Sequence, residues 1–142
     1  MTSALVERGG RNLKIDFSTS TPIYLQIIEE FKRQIVTGQL QPGDKVPSQR
    51  DLAAQVKVNA NTVQRAYREM EILGLVETLR GQGTFVCQNQ GVVEETRKEM
   101  LTNLVDEFVR AVQALGLSEE ATLDVVKTRF SEIDSKEEVN NK

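Results

Sequence analysis

Three residues, Lys57-Val58-Asn59, are all that separate two stretches with the apolar spacing of a helix. Upstream, Leu52, Ala53 and Val56 form a stripe about two turns long behind Ser48 and Asp51, a pair spaced for capping a helix start. Downstream, Asn59 is a good cap, and Val63, Ala66, Tyr67, Met70 and Leu73 recur with helical period. Gly74 offers the left-handed stop. Two helices joined by so short a link must pack at an angle, which is the helix-turn-helix geometry. Two β-prone runs follow, Leu75 to Leu79 and Thr84 to Cys87, around Arg80-Gly81-Gln82-Gly83; they read as a hairpin.

An earlier helix is predicted with Thr21 as cap and Pro22 in its first turn. Its stripe is Ile23, Tyr24, Ile27, Ile28, Phe31 and Ile35, its stop is Gly38, and Pro42-Gly43-Asp44 makes a turn. The expected core draws on Ile27, Phe31, Ile35, Leu52, Val63, Met70, Leu75 and Phe85. Residues 1–20 are polar, with Gly9 and Gly10 adjacent. There Leu13, Ile15 and Phe17 alternate with polar residues, so this arm reads either as a strand or as a loose leader. From Val93, apolar residues at Met100, Leu101, Leu104, Val105, Phe108, Val112 and Leu115 predict an amphipathic helix of about six turns, broken by Gly116. Ser118 caps a last helix with Leu123, Val126, Phe130 and Ile133 on one face. The expected class is mainly α with a small β-hairpin. It divides into an arm (1–20), a helix-turn-helix domain (21–88), a helical segment (92–134) and a polar tail (135–142).

Composition excludes much chemistry. The 142 residues contain no His and one Cys, which removes His-based catalysis, Cys-cluster metal sites and internal disulfides. No P-loop or dinucleotide fingerprint is present, so neither an enzyme nor a cofactor is expected. Glu94, Glu95, Asp106 and Glu107 could hold a metal, but solvated helix charges are the commoner case, and no metal is expected. Cys87 is expected to pack in the second hairpin strand rather than act as a redox sensor. No run approaches the ~20 apolar residues of a membrane span and no signal peptide is visible in residues 1–21, so a cytoplasmic location is expected.

The net charge of −3 hides an asymmetry. Residues 1–91 hold 11 Lys/Arg against 9 Asp/Glu, whereas residues 92–142 hold 7 against 12. An average over both parts hides any local basic face, and a local face is what attracts phosphate. Opposite the buried stripe of the helix at 60–73, Asn61, Arg65 and Arg68 fall at i, i+4 and i+7, with Gln64 beside them and no acid before Glu69. Asn and Gln can pair bidentately with adenine and Arg with guanine, each good pair discriminating by roughly 1–3 kcal/mol. By itself this pattern is also that of an ordinary solvated face. Ser48 and Arg50 stand at the preceding helix start, where free N–H groups favour phosphate; the plain alternative for Arg50 is an ion pair with Asp51 or Glu69. The tip at 80–83 is thin and cationic enough for a minor groove, or is simply a tight turn.

Residues 22–86 resemble the winged helix-turn-helix of the GntR family of bacterial transcription regulators. The resemblance is carried by Pro22-Ile23-Tyr24-Leu25-Gln26-Ile27, the run from Gly38 through Pro42-Gly43-Asp44 and Pro47-Ser48-Gln49-Arg50 to Ala53, and Asn59-Ala60-Asn61-Thr62-Val63. It continues in Ala66-Tyr67-Arg68-Glu69-Met70, Gly74-Leu75-Val76-Glu77 and Arg80-Gly81-Gln82-Gly83-Thr84-Phe85-Val86. The opening, the Asn-x-Asn-Thr-Val run and the short tail are similar to the YtrA-type branch. The resemblance implies a sequence-specific DNA-binding regulator, most simply a homodimeric repressor on a palindromic operator. Contacts would come from Ser48, Arg50, Asn59, Asn61, Thr62, Gln64 and Arg65, with Arg80, Gly81, Gln82 and Gly83 as the wing tip. Many members have Arg where this chain has Ala60 and Gln64, so the base preference of relatives does not transfer.

The two tail helices cannot enclose a core alone. They either fold back on the first domain or pair with a second chain, and the resemblance favours pairing through Leu101, Leu104, Val105, Phe108, Val112, Leu115, Val126 and Phe130. A ligand pocket of ~300 Å³ or more is not expected from two helices, although a small-molecule effector of unknown identity at a dimer interface stays open. The competing function is a winged-helix protein-interaction module that does not bind DNA.

Overall fold

The computed structural model describes the backbone of residues 2–8 and 11–142, and the side chains of Ile15 and of residues 17–142. Its elements are β1 (Thr2–Arg8), β2 (Arg11–Phe17), α1 (Ile23–Val36), β3 (Lys45–Val46), α2 (Gln49–Val56), α3 (Ala60–Ile72), β4 (Val76–Leu79), β5 (Gly83–Val86), α4 (Gln90–Ala114) and α5 (Glu119–Asn140). They form two compact units, residues 1–98 and 99–142, with α4 continuous across the boundary.

The first unit closes around an aliphatic interior. Phe31 of α1 meets Tyr67 of α3 edge-on, ring centroids 5.9 Å apart, and Ile27, Leu52, Val63, Ala66 and Met70 are fully enclosed around them. The local punctuation follows side-chain chemistry. Ser48 Oγ accepts from the Asp51 N–H at 3.1 Å and Asn59 Oδ1 accepts from the Asn61 N–H at 2.8 Å, caps worth about 1 kcal/mol each. Lys57 takes the left-handed conformation (φ 54°) that lets α2 turn into α3 within three residues. Gly38 and Gly74 supply the same hand after α1 and α3.

Several local expectations change. Thr21 does not cap α1; Pro22 holds that position with no side-chain cap, and Gln26 Nε2 instead donates to the Thr21 carbonyl at 2.6 Å. Leu73 lies beyond the buried turn of α3 and is 48% exposed. The hairpin is part of a three-stranded sheet, order β3-β5-β4, in which Lys45 pairs with Phe85 and Val46 with Thr84. That register turns Thr84 and Val86 inward and leaves Phe85 half-buried rather than central. Cys87 is buried just past the end of β5, where its N–H reaches the Leu75 carbonyl at 2.9 Å. In the arm, β1 pairs antiparallel with β2, from Thr2 opposite Phe17 to Arg8 opposite Arg11. Ile15 and Phe17 join the core, as the strand reading required. Gly9 and Gly10 lie outside the described residues.

The start of α4 belongs to the first unit. Asn89 Oδ1 accepts from the Gly91 N–H, Val93 and Thr96 are buried, and Arg97 donates to the Val36 carbonyl at 2.8 Å. In the second unit Ser118 Oγ caps α5 through the Ala121 N–H, Gly116 (φ 70°) turns the chain, and α5 continues through most of the polar stretch at 135–142.

Candidate nucleic-acid interface

The outward side of α3 is uncovered. Asn61, Gln64, Arg65 and Arg68 are exposed on it and Thr62 is half-buried, while the opposite side is sealed by Val63, Ala66, Tyr67 and Met70. Its first turn carries no acid, so nothing offsets the positive end of the helix dipole. Asn59 is exposed, but its side-chain carbonyl is already committed to the cap. In Ser48, the cap uses only the oxygen as acceptor, which leaves the O–H to donate outward.

Helix α2 is fixed against α3 from below. The Tyr67 hydroxyl donates to the Pro47 carbonyl at 2.6 Å, pinning the residue just before the Ser48 cap. Burial, and secondarily the Asp51 charge, holds the Tyr67 phenol above its ordinary range, so it stays a donor. Arg50 is exposed, and among the described residues no ion pair joins it to Asp51 or Glu69.

The wing comes to the same region. Ser48, Arg50 and Gly83 line one open cleft of about 610 Å³ together with Lys45, Asp51, Gln55 and Thr84. Arg80, Gly81 and Gln82 form the exposed turn, closed by the Gln82 N–H to the Leu79 carbonyl at 2.9 Å. Gly83 has φ 125°, and a Cβ there would come within 2.8 Å of the Lys45 Cε. Only glycine suits that backbone while the Lys45 stem crosses it. The sheet is tied to α3 where Thr78 donates to Glu71, and within the sheet the Thr78 and Thr84 hydroxyls are 3.0 Å apart.

Two residues that stand against the candidates were not themselves among them. Lys45 adds a cation to the cleft; its signal was its place between the Pro42-Gly43-Asp44 turn and Ser48. Tyr24 of α1 lies under Arg65, whose guanidinium carbon is 3.8 Å from the ring centroid and whose Nη2 donates to the Tyr24 hydroxyl oxygen at 3.2 Å. Forty-one positions separate the two, and nothing local announces the contact.

The comparisons agree with this architecture. Residues 23–86 match the model of the bacterial regulatory proteins of the gntR family. Over 112 residues the chain is 46% identical to the HTH-type transcriptional regulator YhcF of Bacillus subtilis, covering 79% of this chain and 93% of that one. The chain belongs to the GntR family. It is also 38% identical over 113 residues to the HTH-type transcriptional repressor YtrA of the same organism, covering 75% of this chain and 87% of that protein. A GntR family transcriptional regulator from Listeria monocytogenes superposes with a TM-score of 0.74 at 35% identity, over 79% of this chain and 98% of that one. The chain is therefore a DNA-binding transcriptional regulator with a winged helix, and the interaction-module reading is set aside. No helix among the described residues is long and apolar enough to cross a membrane.

The second unit presents the other set of sequence-assigned residues. Leu101, Leu104, Val105, Phe108, Leu115 and Phe130 are exposed, and Val112 and Val126 are half-buried. Phe108, Val112, Val126, Phe130 and Ile133 line an almost wholly apolar groove of about 460 Å³ between α4 and α5. Two helices thus make a larger hollow than expected, because it is an open groove and not an enclosed pocket. Leu123 is exposed and stands outside the groove.

Proposed function

We propose that this regulator is a homodimeric repressor that reads a palindromic operator in the cytoplasm, without enzymatic activity. In this reading α3 enters the major groove, with Asn61, Thr62, Gln64 and Arg65 toward base edges. Ser48, Arg50 and the free N–H groups of the α2 start hold the flanking phosphates. Asn59 orients α3 through its cap, and Arg80, Gly81, Gln82 and Gly83 follow the sugar-phosphate chain into the adjacent minor groove. Residues 21–88 would carry DNA contact and residues 92–134 self-association. Leu101, Leu104, Val105, Phe108, Val112, Leu115, Val126 and Phe130 would meet the second copy. A small-molecule effector would bind at or beside that apolar surface.

The DNA half is supported by the shared cleft, which gathers Ser48, Arg50 and Gly83 from separate parts of the sequence, together with the uncovered side of α3. For the dimer half the support is the open stripe: Leu104 and Phe130 are 65% and 67% exposed in an otherwise ordered helix pair. Doubling the half-site doubles the contacts and adds avidity. The test is fluorescence anisotropy on a duplex selected by the wild-type chain from a random-sequence pool, with mass measurement by light scattering. A twofold-symmetric selected site and a two-chain mass are expected. An asymmetric site bound by one chain would overturn the dimer, and a binding constant unchanged between low and moderate salt would overturn the phosphate contacts.

A further inference from the structure

Arg65 does not wave free in solvent before DNA arrives. Its guanidinium is stacked on the Tyr24 ring at 3.8 Å and hydrogen-bonded to the phenol oxygen at 3.2 Å. Tyr24 is itself half-buried and packed against the core that joins α1 to α3. The platform is therefore rigid, whereas an unsupported arginine keeps many rotamers that must be given up on binding. An arginine carries five N–H donors, and the phenol takes one. The remaining donors are left for an acceptor pair such as guanine O6 and N7, or for a phosphate. Among the described residues no carboxylate is paired with Arg65 to compete for them.

We infer that Tyr24 is a positioning residue for DNA reading: it holds Arg65 of α3 in one orientation before binding, through the face of its ring. This inference rests on the placement of Arg65 at the DNA under the proposed function. Tyr24 touches no base in this scheme and acts only through Arg65. Its ring, not its hydroxyl, carries most of the effect, because the hydroxyl bond is long and exposed while the stack is close.

The test uses the full chain and the duplex it selects from a random pool. Arg65→Ala should weaken binding about 30-fold, the scale of one base-reading pair. Tyr24→Leu, which keeps apolar bulk but loses the ring, should weaken it about five-fold. The double variant should bind no more weakly than Arg65→Ala alone. Tyr24→Phe should stay within about two-fold of wild type. In the DNA-free protein, the Arg65 side-chain proton resonances should be shifted upfield by the ring in wild type and Tyr24→Phe and return to ordinary positions in Tyr24→Leu. Additive losses in the double variant, a gain of affinity in Tyr24→Leu, or unshifted Arg65 resonances in wild type would each overturn the inference while leaving the docking of α3 intact. Unchanged binding by Arg65→Ala would instead remove that docking, and the inference with it. Should Tyr24→Leu fail to melt cooperatively, Tyr24→Phe decides: a loss of ten-fold or more with normal melting contradicts the stack as carrier.

Discussion

The two units use the same helical periodicity to opposite ends. In residues 1–98 the stripes of α1, α2 and α3 find one another, and Ile27, Phe31, Leu52, Val63 and Met70 are removed from solvent altogether. In residues 99–142 two longer helices carry less sharply divided stripes, no residue of that unit is buried, and the groove between the helices stays open. An amphipathic stripe says that a face will be covered; it does not say by what. Three short helices crossing at angles can enclose a core, with a small sheet to close one end. Two helices offer each other only one side, so the rest of their apolar surface is left for another partner.

The largest expected contrast comes from one substitution in each unit. Phe31→Ala should cost roughly 3–5 kcal/mol, by lost burial and a cavity beside Tyr67, and lower the urea midpoint by about 1 M or more. Phe108→Asp should leave the unfolding of the first unit nearly unchanged but abolish the proposed two-chain species in sedimentation, since pairing through this surface would desolvate a carboxylate. If Phe108→Asp instead melted the protein as Phe31→Ala does, the second unit would be a core rather than an interface. Next in size, Arg50→Ala should weaken binding to the selected duplex by roughly 1–3 kcal/mol and shift stability by less than about 0.5 kcal/mol. Asn59→Ala should cost about 1 kcal/mol of stability, read from the denaturation midpoint, because it removes the α3 cap.

The smallest effect sharpens the comparison from inside the first unit. Tyr67 is buried and its phenol is held protonated above its ordinary pKa of about 10. Above pH 10 the unfolded chain releases this proton and the folded chain does not, so the folded state binds more protons and stability falls as pH rises. The contribution is fully present below pH 10 and disappears as pH climbs toward the folded value. Tyr67→Phe should cost about 1 kcal/mol at neutral pH for the lost bond to Pro47 and show a flatter alkaline decline in melting temperature.

Chemistry that acts within a few residues was legible without coordinates. Ser48 and Asn59 cap because their side chains reach forward to N–H groups three and two residues on, and Gly38 and Gly74 stop helices because they tolerate positive φ. Contacts set by distant partners were not. β3 is only two residues long and exists because β5 comes to it. The phase of Thr84, Phe85 and Val86 follows from that pairing, and a one-residue shift reverses which side chain points inward. Thr21 loses its cap role to Pro22, and Leu73, at the C-cap of α3, is left exposed. Of the proposed interface, the exposed faces that carry Arg50, Asn61, Gln64 and Arg65 follow from helical spacing alone. The rest was invisible where strands and a second helix supply Lys45 and Tyr24.

The most direct measurement concerns the uncovered side of α3 beside the α2 start. Anisotropy titrations of the selected duplex with wild type and with the Arg50→Ala, Arg65→Ala double variant should differ by more than about 100-fold in affinity while the two proteins melt within a few degrees of each other. Equal affinities from two equally folded proteins would contradict the assignment of this surface to DNA.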